Sequence, residues 1–187
     1  MSPAPSSPAP SSPAPSSPAP SSPAPSRSCV FCAIVAGDAP AVLIHDDDRY
    51  LAFLDVRPFT RGHTLVVPKV HTVDLTDTPA ATLAGMSTLG QRIARAARLS
   101  GLHADGNNIA INDGRAAFQS VFHIHLHVVP RRTGDRVAFA KGLIWRRDPD
   151  RETTGRILRE ALARLDETPE DTTDDTTGDT TEAPGSA

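Results

Sequence analysis

Cysteine, tryptophan and tyrosine are nearly absent from this chain, and so are long apolar runs. The only cysteines are Cys29 and Cys32. A bridge between them would close too short a loop to staple a fold, so a reduced, cytoplasmic setting is the simpler reading. No apolar run reaches the ~20 residues of a membrane-spanning helix, so no membrane partner is expected. The N-terminus lacks a cationic patch followed by an apolar stretch, which argues against a secretory signal. No stripe of Lys and Arg with interleaved aromatics occurs, and nothing points to a nucleic-acid partner.

Both ends lack what a core needs. Residues 1–26 repeat Ser-Ser-Pro-Ala-Pro, with no charge after the start and no apolar side chain larger than Ala apart from Met1. Such a segment cannot bury enough surface to offset its chain entropy, and its Pro density favours an extended, solvated tail. Residues 167–187 hold seven acids and no bases, and read as a second disordered tail. The remaining residues, 27–166, are enough for one domain. They carry all 19 Lys and Arg and 15 of the 22 acids, a balance of about +4 that suits an anionic small molecule.

What is present is patterned. "CVFCAIVAG" reads as a short helix closed by Gly37, and "AVLIHDDDRYLAFLDV" as a hairpin. "GHTLVVPKVH" reads as a buried strand ending near Pro68. From Thr78 (the expected N-cap, with Pro79 in the first turn) a long helix runs to Gly101, with Leu83, Met86, Gly90, Ile93 and Ala97 at helical spacing. "NNIAIND" is a further strand, and "DRETTGRILREALARLDE" a second long helix. Strands and helices do not alternate regularly, so the expected class is α+β: an antiparallel sheet with the long helix packed on one face.

The most informative stretch is "QSVFHIHLHVVPR", residues 119–131, where three of the seven histidines alternate with apolar residues. On a strand, His123, His125 and His127 would share one face and Ile124, Leu126 and Val128 the other. The triad could line a polar sheet face, hold a metal, or supply a nucleophile with proton-moving neighbours. "CVFC" has the spacing of two zinc thiolates, although buried reduced thiols or a redox pair fit the same spacing.

"HIHLHVV", with "FLDVRPFTRGHTLVVPKVH" and "INDGRAAFQS" before it, resembles the histidine triad (HIT) family over roughly residues 29–132. The resemblance implies a roughly five-stranded antiparallel sheet with one long packed helix and shorter flanking helices. It also implies a homodimer formed by pairing sheets edge to edge. By the same resemblance, the chain hydrolyses or transfers nucleotides, cleaving an α-phosphate substituent of a purine, AMP-like substrate. His125 would attack the phosphorus, His127 would contact the phosphate and help protonate the leaving group, and His63 would support them. Asn112, Gln119 and Ser120 would bind phosphate, with Ser120 also in the catalytic group. Asp55 would hold ribose, and Phe31, Ile34 and Leu54 would line an apolar base slot. A structural zinc would be held by Cys29, Cys32, His71 and His123, with no catalytic metal required. Phe118 departs from the pattern: phosphoramidase and polyphosphate branches usually carry Gly there, and a bulky residue would narrow the leaving-group side. Two other readings compete with this one: a nucleotide-binding protein with little turnover, and a metal-dependent enzyme using the triad as ligands.

Overall fold

The computed structural model describes residues 29–142 and 148–167. The Pro-rich tail, the acidic tail beyond Glu167, and Trp145 lie outside the described residues. Five strands form one antiparallel sheet: β1 (Leu43–Asp46), β2 (Tyr50–Leu54), β3 (Thr64–Pro68), β4 (Gly106–Ile111) and β5 (Leu126–Arg131), in the order β1-β2-β3-β5-β4. The helices are α1 (Val30–Val35), α2 (Ala80–Leu99), α3 (Arg136–Gly142) and α4 (Arg151–Glu167). Among the described residues no helix is long and apolar enough to cross a membrane.

The two-residue strand period divides the sheet into two apolar faces. Tyr50, Ala52, Leu54, Val66, Leu126 and Val128 face α2 and α4, packing against Met86, Leu89, Ile93 and Leu158. Leu51, Phe53, Leu65 and Val67 face the other way and form a smaller cluster with Phe31 of α1. Each fully buried Leu, Ile or Met contributes about 1.5–3 kcal/mol, so the helix side holds most of the hydrophobic stabilisation. The smaller cluster sits under the histidines and locates α1 against them.

α1 ends as expected: Gly37 takes φ +80, and its N–H donates to Ile34 O at 3.0 Å. The start of α2 differs from expectation. Pro79 occupies the cap position without a side-chain cap bond. The Thr78 hydroxyl is turned inward to Thr72 Oγ1 at 2.9 Å, bracing the turn that follows His71.

The histidine stretch also differs. β5 begins only at Leu126, so His127 alone belongs to the ladder, opposite Leu65 and Ala110. Continuing the β3 pairing backward would set Ile124 opposite Pro68, which has no N–H to offer. Ile124 N–H instead donates to Thr72 O at 2.7 Å. The alternation survives this departure, because Ile124, Leu126 and Val128 all enter the helix-side core. β5 runs on through Pro130 to Arg131. Pro130 pairs with Asn107 of β4, and its carbonyl accepts from Thr60 Oγ1 at 2.7 Å on the side where β3 has already stopped.

The seat of β2 on α2 is tight at Gly85, where an added Cβ would lie 2.1 Å from the Tyr50 hydroxyl oxygen and 2.5 Å from Cζ. Gly85→Ala should therefore lower unfolding free energy by about 1–2 kcal/mol, the overpacking cost exceeding the helix-propensity gain. Denaturant melts measure it, and a stabilised variant would contradict this packing.

Candidate functional site

Cys29 caps the start of α1, Cys32 lies one turn on, His71 follows β3, and His123 lies on the stretch entering β5. Their ligand atoms all fall within 4.8 Å of one another. His123 Nδ1 is 3.6 Å from each sulfur, Cys32 Sγ is 3.1 Å from His71 Nδ1, and the two Nδ1 atoms are 3.2 Å apart. With Zn–S near 2.3 Å and Zn–N near 2.05 Å, a tetrahedron has S–N edges of about 3.6 Å and an N–N edge of about 3.3 Å. The donor set and its spacing therefore fit a zinc ion. His123 is also in the correct tautomer: its Nε2–H donates to Pro68 O at 2.9 Å, leaving the Nδ1 lone pair facing the sulfurs. Burial holds the His123 ring down at a pKa of about 4, the Pro68 bond partly opposing, so it stays neutral.

Two residues later the tautomer reverses. His125 Nδ1–H donates to the carbonyl of His123 at 2.8 Å, which leaves Nε2 as the lone-pair nitrogen. Burial lowers the pKa of this ring as well, against the raising effects of that hydrogen bond and of Asp55. The Phe31 ring lies nearly perpendicular to the His125 ring with ring centres 5.2 Å apart, and the centre of the His127 ring is 4.8 Å away.

The other half of the site is a chain of proton-bearing groups. His63 Nε2 and His127 Nδ1 are 2.9 Å apart, and His127 Nε2 lies 3.5 Å from the Asn112 amide. His63 Nδ1 faces two partners of opposite preference: Phe59 N–H at 3.2 Å suits a lone pair, and Asp55 Oδ2 at 3.4 Å suits a proton. The His63–His127 pair thus has support in either protonation state, as a group that gives up and regains a proton requires. Asp55, His63 and His127 also have metal-ligand spacing. Their 2.9 Å nitrogen pair, however, is a hydrogen-bond distance, shorter than the edge between two metal-bound nitrogens.

The three triad imidazoles do not converge as a ligand set. Among the described residues His123 belongs to the cysteine cluster, His127 to the Asp55 cluster, and His125 to neither.

The remaining expected site residues divide. Phe31 and Ile34 lie on the histidine side, around Phe53. Leu54 does not join them: it points into the helix-side core, because strand alternation gives the site face to Phe53. Gln119 is buried with its polar atoms engaged. Its Oε1 accepts Gly114 N–H at 2.8 Å, its amide donates to Val73 O and Val121 O, and its own N–H donates to Gly114 O. It braces the loop rather than presenting a phosphate donor. Ser120 is exposed and lines a cleft with Cys29, His71, Val73 and Phe122. Sequence reasoning missed Phe53, legible from its alternation with Leu51. It also missed Phe59, whose ring stacks on His63 at 5.0 Å and which no periodicity marks.

The geometry fixes an observable. Long-range ¹H–¹⁵N NMR should find His123 as the Nε2–H tautomer and His125 as the Nδ1–H tautomer. The same tautomer at both positions would contradict the hydrogen bonds to Pro68 and His123.

Comparison with known proteins agrees with this architecture. The HIT domain family model matches residues 36–134. An uncharacterized HIT-like protein of Mycobacterium tuberculosis is 68% identical over 143 residues, covering 76% of this chain and 99% of that protein. Adenosine 5'-monophosphoramidase HNT1 of Saccharomyces cerevisiae is 32% identical over 142 residues, covering 74% of this chain and 84% of its own length. The crystal structure of a zinc-bound histidine triad family protein from Mycobacterium smegmatis superposes with a TM-score of 0.70 at 73% identity, over 75% of this chain and 96% of that one. With the model spanning more than half the sequence and the fold, the triad and the flanking motifs in agreement, this chain belongs to the HIT-domain family.

Proposed function

We propose that the protein is a nucleotide hydrolase or nucleotidyl transferase that cleaves an α-phosphate substituent through His125. The observation that carries this reading is the His123 carbonyl bond, which holds a buried, neutral His125 with Nε2 unprotonated. An imidazole is a nucleophile only through its unprotonated nitrogen. In the first step the Nε2 lone pair forms a bond to the α-phosphorus and the bond to the leaving group breaks. The departing atom keeps the electron pair and takes a proton from His127 Nε2, supplied by the His63–His127 pair beside Asp55. In the second step water forms a bond to the phosphorus and gives a proton to His127, the bond from phosphorus to His125 Nε2 breaks with its electron pair returning to the ring, and the nucleoside monophosphate is released. Asn112 beside His127 and the exposed Ser120 are the proposed phosphate contacts. The purine sits against Phe31, Ile34 and Phe53, with Asp55 at the ribose. The yeast relative's name supports an adenosine phosphoramidate or related substrate.

The cysteine cluster is proposed to hold a structural zinc. Four protein donors leave no open position, so the ion's contribution is to tie α1, the end of β3 and His123 together. The homodimer is also a proposal. Among the described residues β4 is an end strand of the sheet, with Ile109 48% exposed, and a second copy there would extend the ladder.

Two experiments test these claims. With adenosine phosphoramidates, dinucleoside polyphosphates and nucleotidyl sugars as substrates, His125→Ala should lose at least about a thousandfold in kcat/KM, as expected for removal of a nucleophile. Activity equal to wild type would refute the assignment, and tight nucleotide binding without turnover in wild type would favour a binding protein. Elemental analysis should find one zinc per chain, absent from Cys29→Ser; a metal-free wild type would end the zinc assignment.

A further inference from the structure

Phe118 is held where an aromatic side chain has little intrinsic reason to be. It is 86% exposed, and its backbone is left-handed, with φ +67 and ψ 21. Non-glycine residues seldom adopt this region, and bulky ones least of all. Backbone strain of this kind, maintained without packing gain, points to a role for the side chain.

The loop fixes the backbone from which the ring projects. Phe118 N–H donates to Arg115 O at 3.1 Å, and Gly114 and Gln119 exchange two bonds across the turn. The Gln119 amide ties the loop to Val73 O at 2.7 Å. The strain is therefore imposed by a closed, braced turn, and the ring projects from it. That turn follows directly from Asn112, whose amide faces His127 Nε2. It ends at Ser120, five residues before His125. Across the turn, the Arg115 guanidinium lies 4.8 Å over the Phe122 ring, keeping positive charge on the same rim.

We propose that Phe118 is a stacking platform for a flat aromatic leaving group and so a specificity-determining residue. This rests on the nucleotidyl-transfer reading and adds the class of leaving group. When Nε2 of His125 attacks phosphorus, the departing group lies on the side of its proton donor, His127. The Asn112–Ser120 loop borders that side. An exposed ring on a braced backbone offers a free π-face to a second ring. The shared chemistry is an aromatic ring beyond the α-phosphate, either the second nucleobase of a dinucleoside polyphosphate or the ring of an arylalkyl amine.

The test compares three substrates with a common adenylyl group: an indolylalkyl phosphoramidate, an alkyl phosphoramidate of similar length, and diadenosine tetraphosphate. Each is run on wild type, Phe118→Leu and Phe118→Gly. The ratio of kcat/KM for an aromatic over the alkyl leaving group should fall about two- to tenfold in both variants. A fall for the indolyl compound alone assigns an arylalkyl amine, and one for the tetraphosphate alone assigns a second nucleotide. Phe118→Gly should melt no lower than wild type, since glycine accepts the left-handed backbone without strain. Dissociation constants for the same compounds separate the two claims. A wild type that binds but does not cleave refutes nucleotidyl transfer, and an aromatic preference in binding that Phe118→Leu leaves intact refutes the platform. Unchanged ratios with altered sedimentation would make Phe118 a subunit contact and overturn the proposal.

Discussion

His123 holds three parts of the molecule at once. Its Nδ1 faces the two sulfurs and His71, its Nε2–H donates to the carbonyl that ends β3, and its own carbonyl accepts the Nδ1–H of His125. The first two contacts fix where this residue sits, and the third passes that placement to the next imidazole. If His123 moved, His125 would lose the acceptor that selects its tautomer, and its Nε2 would no longer be defined as the lone-pair nitrogen. Complete burial of the His123 ring makes these bonds mandatory, because an unpaired polar atom there would carry its full desolvation cost.

The rest of the fold serves this placement. α2 and α4 cover one face of the sheet and take up Ile124, Leu126 and Val128, which turns the alternating imidazoles toward the other face. There α1 packs on Leu51, Phe53, Leu65 and Val67, and the imidazoles lie buried beside this smaller cluster. Pro68 shapes the junction. With no N–H to continue the ladder, it lets the chain at Ile124 leave β3 and bond to Thr72, near His71. The metal-type cluster and the proposed nucleophile thus occupy one stretch of chain without sharing a ligand set.

Much of this is legible in the sequence because it depends on period and spacing. Alternation alone assigns Ile124, Leu126 and Val128 to one side, and the Cys-x-x-Cys spacing singles out a metal-type pair. The same rule identifies Phe53, not Leu54, as the site-side residue of β2 once the strand's inward face is known. Other features depend on which backbone atom lies opposite which side chain, and no residue pattern encodes that. Gln119 reads as a donor beside the triad, yet its amide is taken by Gly114, Val73 and Val121. Thr78 reads as a helix cap, yet its hydroxyl finds Thr72. Phe59 lies in an irregular segment between β2 and β3, where periodicity has nothing to act on, so its stack on His63 emerges only from the folded chain. The Pro-rich and acidic tails read from composition fall on residues that the described structure does not cover, apart from Glu167.

The most direct test is a covalent one. Protein quenched at alkaline pH during turnover of an adenosine phosphoramidate, where a phosphorus–histidine bond survives, can be digested and mapped by tandem mass spectrometry. The account predicts an adenylyl adduct on His125 that decays as AMP accumulates. Steady turnover with no adduct, or with the adduct on His123 or His127, would contradict it.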